Sequence, residues 1–297
     1  MGLIMRILTF LIIISSIVAV TKCQANPTRI PDTISESTIL SADSISIAYE
    51  TRGSGNTTLV FVHGWCSDRT FWREQLDDLA GDYLVVAIDL PGHGNSGRTR
   101  KKWSLSSFAR DVKELVESLS LEQVVLIGHS MGGLISLEAA QHLPERVIGI
   151  IGVDTIGDVE RADQPEMMDR VIAAFENDFV GTMNAFMPNL FSPTADSELI
   201  KWATERSTEA DPVMALAIMR RVTSIDEKRL LSSVNVPVRV IYAALGDSIE
   251  SQSIVETNKK YADFDAVFVQ GVGHFLQLEK PNDINRHLRI FLNELEQ

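Results

Sequence analysis

Residues 126–133 read Leu-Ile-Gly-His-Ser-Met-Gly-Gly, closing the apolar run Val124-Val125-Leu126-Ile127 and opening directly into a helix-compatible segment from Leu134 to His142. Gly128 to Gly132 within it form a G-x-S-x-G pentapeptide. A serine held on a sharp strand-to-helix turn projects its hydroxyl out of the fold. The backbone there is too crowded for side chains two residues to either side, which is where Gly128 and Gly132 stand. The helix that follows points its unpaired N–H groups toward any oxyanion formed beside that hydroxyl. Ser130 is therefore the candidate nucleophile.

A nucleophilic serine needs a base, and the base needs an orienting acid. Gly273-His274-Phe275 follows the β-like run Ala266-Val267-Phe268-Val269. Val238 to Tyr242 has a second buried-strand pattern, closing in Leu245-Gly246-Asp247. Ser130, Asp247 and His274 thus each fall just past an expected parallel strand, and open parallel sheets gather such residues at the carboxyl ends of their strands. Asp154 ends another apolar run, Val147 to Val153, and stands as the alternative acid. Upstream, Leu59 to Val62 ends in His63-Gly64-Trp65. A His-Gly pair lets that loop bend so that the Trp65 N–H faces a reacting carbonyl, with the Met131 N–H as the second oxyanion donor.

Together with Ile88-Asp89-Leu90-Pro91-Gly92-His93-Gly94-Asn95-Ser96-Gly97, these motifs make the chain resemble the α/β-hydrolase superfamily over roughly residues 40–295. The branch resembled is the capped one that includes carboxylesterases, lipases, cofactor-free perhydrolases and C–C bond hydrolases. The resemblance implies the order Ser, then Asp or Glu, then His. Epoxide hydrolases and haloalkane dehalogenases share the branch but carry aspartate at the elbow, and Ser130 argues against both. Some members place the acid on the earlier strand, where Asp154 stands. At Asp247 the chain departs from the usual pattern, because Ala243-Ala244-Leu245 precede Gly246 where the family tends to show glycine and acidic residues.

Composition agrees with a globular chain: 297 residues, 45% hydrophobic and 23% charged, enough for one domain with an insertion. The net charge of −13 removes any general electrostatic claim on nucleic acid. The short basic cluster Arg98, Arg100, Lys101 and Lys102 reads as a solvated loop. Residues 1–25 read as a secretory signal peptide, with Arg6 before an apolar stretch from Ile7 to Val20 that is short for a spanning helix. The mature chain is then secreted or periplasmic, with no membrane attachment unless that segment is retained, and Cys66 is its sole cysteine.

Apolar runs at 84–88 and 147–153 alternate with helical patterns near 69–80, 106–119 and 131–142, while residues 26–40 read as an extended lead-in. The expected fold is a doubly wound, mostly parallel sheet of about eight strands, with core segments 26–154 and 226–297. After the sixth strand, residues 155–225 carry helical stretches rich in Met and Phe and no convincing strand, which suits an inserted helical lid. Its apolar residues would mostly form the lid's own seam, with Phe179, Phe186 and Met187 the first candidates to face substrate.

His63, His93 and His129 read as loop-shaping hydrogen-bonders, Asp89 and Ser96 as turn residues, and Cys66 as a small packed thiol. No spacing of His, Cys and Asp suggests a metal site, and no Gly-rich turn resembles a phosphate or dinucleotide cradle, so no cofactor is expected. The expected reaction is hydrolysis of a small-molecule ester through an acyl-enzyme. Cleavage of a C–C bond, lactone, amide or thioester, perhydrolysis or hydroxynitrile-lyase chemistry remain open on the same residues, as does, least favoured, a non-catalytic binding role.

Overall fold

Thr57 to Val62 is buried along its whole length, which a strand manages only when helices cover both faces of its sheet. In the computed structural model, residues 34–160, 165–222, 224–244 and 250–296 are described. The expected signal segment and Asp247 lie outside them.

The chain forms β1 (Ser35–Leu40), β2 (Ser46–Arg52), β3 (Thr57–Val62), α1 (Arg73–Leu79), β4 (Leu84–Ile88), α2 (Leu105–Ser118), β5 (Gln123–His129), α3 (Met131–Gln141) and β6 (Val147–Val153). A run of helices follows: α4 (Pro165–Asn177), α5 (Phe179–Phe186), α6 (Ser197–Thr208), α7 (Pro212–Val222) and α8 (Glu227–Ser232). The sheet resumes with β7 (Val238–Ala244), α9 (Glu250–Asn258), β8 (Phe264–Gln270), α10 (Leu276–Glu279) and α11 (Pro281–Leu295). The extended lead-in thus ends as β1, paired antiparallel with β2 from Ser35 opposite Thr51 to Leu40 opposite Ser46.

All eight strands join one sheet in the order β1-β2-β4-β3-β5-β6-β7-β8. The first two pairings are antiparallel and the rest parallel. Two apolar clusters cover its faces: α2 and α3 pack on one, α1 and α11 on the other. The sequence of α2 shows how a helix comes to lie there. Phe108, Val112, Leu115 and Val116 recur at helical spacing and are buried, and Ser104 and Ser107 close a reciprocal capping box.

Register then positions the site. His129 lies opposite Val153, and Val153 opposite Ile241, so the residues just past β5 and β6 emerge side by side at the carboxyl edge.

One expectation from the sequence is overturned. Arg100 is buried rather than solvated, and its guanidinium holds both Asp111 oxygens at 2.6 and 2.8 Å and both Asp43 oxygens at 2.8 and 2.9 Å. A local charge run carries no trace of acids supplied by the β1–β2 turn and by α2.

Candidate active site

Ser130 sits between β5 and α3 at φ 52° and ψ −122°, a backbone region that costs a non-glycine residue about 1–3 kcal/mol. Three glycines make room for it. A Cβ on Gly128 would strike the backbone of Gly132 and Gly133, one on Gly132 the Val62 carbonyl, and one on Gly133 the Thr155 side chain. Ser130 N–H donates to the Val153 carbonyl at 3.0 Å, and its own carbonyl accepts from Gly133 N–H at 3.0 Å and Thr155 Oγ1 at 2.6 Å.

His274 lies in the turn after β8, and the structure fixes it on every side. Its Nδ1 donates to Asp154 Oδ2 at 2.6 Å. Its N–H donates to the Leu190 carbonyl at 2.7 Å, and its carbonyl accepts from His129 Nε2 at 2.9 Å. The preceding Gly273 N–H donates to Glu279 Oε1 at 2.8 Å. The rings of His129 and His274 are 4.6 Å apart, which brings His274 beside the residue next to Ser130. Among the described residues no hydrogen bond yet joins Ser130 Oγ to His274, as is common before substrate tightens such a contact.

Asp154 stands just past β6 at φ 47°, and its second oxygen accepts from Ala243 N–H at 2.9 Å. Its own N–H donates to the Ile241 carbonyl at 2.8 Å. The carboxylate that meets His274 is thus Asp154, past the earlier strand, while Asp247 falls outside the described residues.

The amides of Trp65 and Met131 have no backbone hydrogen-bond partner among the described residues. Gly64, beside Trp65, lies so close to the elbow that a Cβ there would stand 3.0 Å from His129 Nδ1 and 3.2 Å from Ser130 Cβ. Two buried histidines shape that loop. His63 Nδ1 donates to the Gly64 carbonyl at 2.8 Å while its Nε2 accepts from Leu90 N–H at 3.0 Å. His93 Nδ1 donates to the Pro91 carbonyl and its Nε2 accepts from Cys66 N–H, both at 3.2 Å. Burial lowers the pKa of His63, and lowers those of His93 and His129 further, so all three serve as neutral hydrogen-bonders. Asp89 is more than a turn residue: it accepts from the backbone of Arg69 and Asn95 at 2.8 and 2.9 Å and pairs with the Arg69 side chain. Cys66 is buried, and burial pushes its thiol pKa well above the ordinary value.

Of the expected substrate-facing residues, Phe179 and Phe186 are partly buried and pack on Phe175 with ring centroids 5.6 and 5.7 Å away. Phe175 in turn meets Trp65 edge-on at 5.4 Å, which ties this aromatic group to the loop after β3. Met187 is buried in the core cluster. Sequence reasoning did not single out Thr155 or Glu279, because neither lies in a motif and each acts through the backbone of another residue. Among the described residues, no group of three or more His, Cys, Asp or Glu is placed to hold a metal ion.

A strained serine after the central parallel strand, glycines packed around it and a histidine after the last strand define the class. The chain belongs to the alpha/beta hydrolase fold family, whose model matches residues 57–281. It is 26% identical over 253 residues to the pimeloyl-[acyl-carrier protein] methyl ester esterase of Yersinia pseudotuberculosis, covering 82% of this chain and 96% of that one. The dihydrolipoyllysine-residue acetyltransferase components of acetoin cleaving systems from Cupriavidus necator and Pseudomonas putida are 36% and 27% identical over 115 and 249 residues. The chain spans only 31% and 66% of their lengths. Among solved structures, a thermophilic esterase from Thermogutta terrifontis superposes with a TM-score of 0.76 at 25% identity, covering 89% of this chain and all of that one.

Proposed function

We propose that the protein is a serine hydrolase that cleaves carboxylic esters of small or medium, largely apolar substrates through an acyl-enzyme. Ser130 is the nucleophile, His274 the general base and Asp154 its acid, with the amides of Trp65 and Met131 as the oxyanion hole. The observation that carries this reading is the strained Ser130, whose neighbour His129 packs its ring 4.6 Å from that of His274, a histidine already bonded to a carboxylate. The esterase names of the Yersinia and Thermogutta relatives support the same class of bond.

In the first step Ser130 Oγ attacks the ester carbonyl and His274 Nε2 takes its proton. Asp154 holds Nδ1–H, so Nε2 is the free acceptor, and its charge offsets the imidazolium that forms. The negative charge moves to the carbonyl oxygen, where two N–H dipoles meet it; losing one such donor typically costs about 2.7–4 kcal/mol. His274 then protonates the leaving alcohol, water attacks the acyl-enzyme by the same route, and the acid departs.

The helices between β6 and β7 would act as the lid, with Phe179 and Phe186 at the apolar wall and Met187 supporting it from within. Residues 1–25 would direct export, with the mature protein working outside the cytoplasm, as their sequence alone suggests.

Hydrolysis of p-nitrophenyl esters of increasing acyl length, by the protein and its Ser130→Ala variant in parallel, tests this reading. Activity that vanishes in the variant supports it, and the length optimum sizes the wall under the lid. An inert wild type whose Ser130 still reacts with a fluorophosphonate would move C–C cleavage and lyase chemistry ahead.

A further inference from the structure

Two residues just past β6 have an unusual backbone: Asp154 has φ 47° and Ile156 φ 57°, with Thr155 between them. Left-handed backbone at two non-glycine positions persists only where neighbours fix it. Strand β7 provides that. Ile241 and Ala243 bond the Asp154 backbone and carboxylate at 2.8 and 2.9 Å, and Tyr242 Oη donates to the Ile156 carbonyl at 2.6 Å. The turn sends two adjacent side chains to two different partners. Asp154 goes to His274, and Thr155 Oγ1 goes to the Ser130 carbonyl at 2.6 Å.

Ser130 is itself left-handed, and the β6 end holds it from both directions, through Val153 at its N–H and Thr155 at its carbonyl. Thr155 is buried, and its side chain occupies the space that a Cβ on Gly133 or Gly152 would claim. We propose that Thr155 is the positioning residue of the nucleophile, its hydroxyl clamping the Ser130 carbonyl so that one strand end sets serine and base relative to each other. The proposal rests on Ser130 being the nucleophile.

Two substitutions separate the donor from the packing. Thr155→Val fills the same volume without a donor, and Thr155→Ser keeps the donor without the methyl. The readouts are kcat and KM on a p-nitrophenyl ester, the rate of fluorophosphonate labelling, and the melting temperature. The clamp predicts that Thr155→Val lowers kcat and labelling rate together by about tenfold or more while KM stays within about twofold. It predicts that Thr155→Ser keeps most of both, even with the lower melting temperature. The proposal is overturned if Thr155→Val falls short of that loss, or if both variants lose kcat in proportion to their melting temperatures. Ser130→Ala in the same series keeps the two readings apart. An active Ser130→Ala removes the nucleophile assignment itself. An inactive one, beside an undiminished Thr155→Val, removes the clamp alone.

Discussion

His274 Nδ1 and Asp154 Oδ2 stand 2.6 Å apart although 120 positions separate them in the chain. The contact is fixed from the acid's side as well, because Asp154 Oδ1 is already occupied by the Ala243 N–H. A carboxylate held at both oxygens cannot swing away from the imidazole, so the tautomer that leaves Nε2 free is built in before substrate arrives.

The close approach of the proposed oxyanion loop to the elbow makes Gly64 a sensitive position. A methyl there would press on His129 Nδ1 and Ser130 Cβ at 3.0 and 3.2 Å, moving the loop and Ser130 apart by a few tenths of an ångström. Gly64→Ala should fold and bind substrate with a similar KM but lose about tenfold or more in kcat. Gly132→Ala, whose Cβ would run into the Val62 carbonyl, should instead yield little soluble protein. Expression yield and steady-state kinetics of the two variants check this contrast, and a fully active Gly64→Ala would count against the assigned oxyanion loop.

Stability should fall in mild acid. His63, His93 and His129 are held neutral in the fold, mainly by burial, below their ordinary value of 6.5. In the unfolded chain they take up protons below that pH, so the unfolded state binds more protons than the native one. Their contribution is fully present above about pH 6.5. It is lost as the pH falls further, at up to about 1.4 kcal/mol per pH unit for each histidine. Urea unfolding at about pH 7.5 and about pH 5 measures the loss, and His93→Gln, which cannot titrate, should show a shallower dependence. An unchanged slope in that variant would mean His93 is protonated in the fold.

Arg100 should be costly to remove. Its guanidinium is buried against Asp111, itself buried, so Arg100→Ala leaves a carboxylate without its partner and should cost about 3–5 kcal/mol. Replacing both, Arg100→Met with Asp111→Leu, should recover much of that loss. Urea denaturation of the single and double variants measures the difference. A small effect of Arg100→Ala would mean that water reaches Asp111.

Much of this arrangement can be read from the sequence, and the reasons differ from residue to residue. The elbow is legible because crowding demands glycines at fixed offsets around Ser130, and His274 because it closes the last strand pattern. His63 and His93 follow from lying in loops where neutral rings cap backbone groups. The choice of acid is not legible in this way. Asp154 and Asp247 each end an apolar run, and only strand register and the fold of the turn after β8 bring Asp154 to the imidazole. Arg100 is illegible for the related reason that Asp43 and Asp111 come to it through tertiary structure. Thr155 leaves no sequence signal at all, since its role depends on two left-handed neighbours that carry ordinary side chains.

The most direct test of the assigned triad is kcat for Asp154→Asn and Asp247→Asn, measured side by side on one p-nitrophenyl ester with folding verified by melting temperature. The arrangement at His274 predicts that Asp154→Asn loses about a thousandfold or more, because an amide at that position favours the wrong tautomer, and that its loss exceeds that of Asp247→Asn by at least about a hundredfold. A larger loss in Asp247→Asn would contradict the assignment and return the acid to the strand before the last.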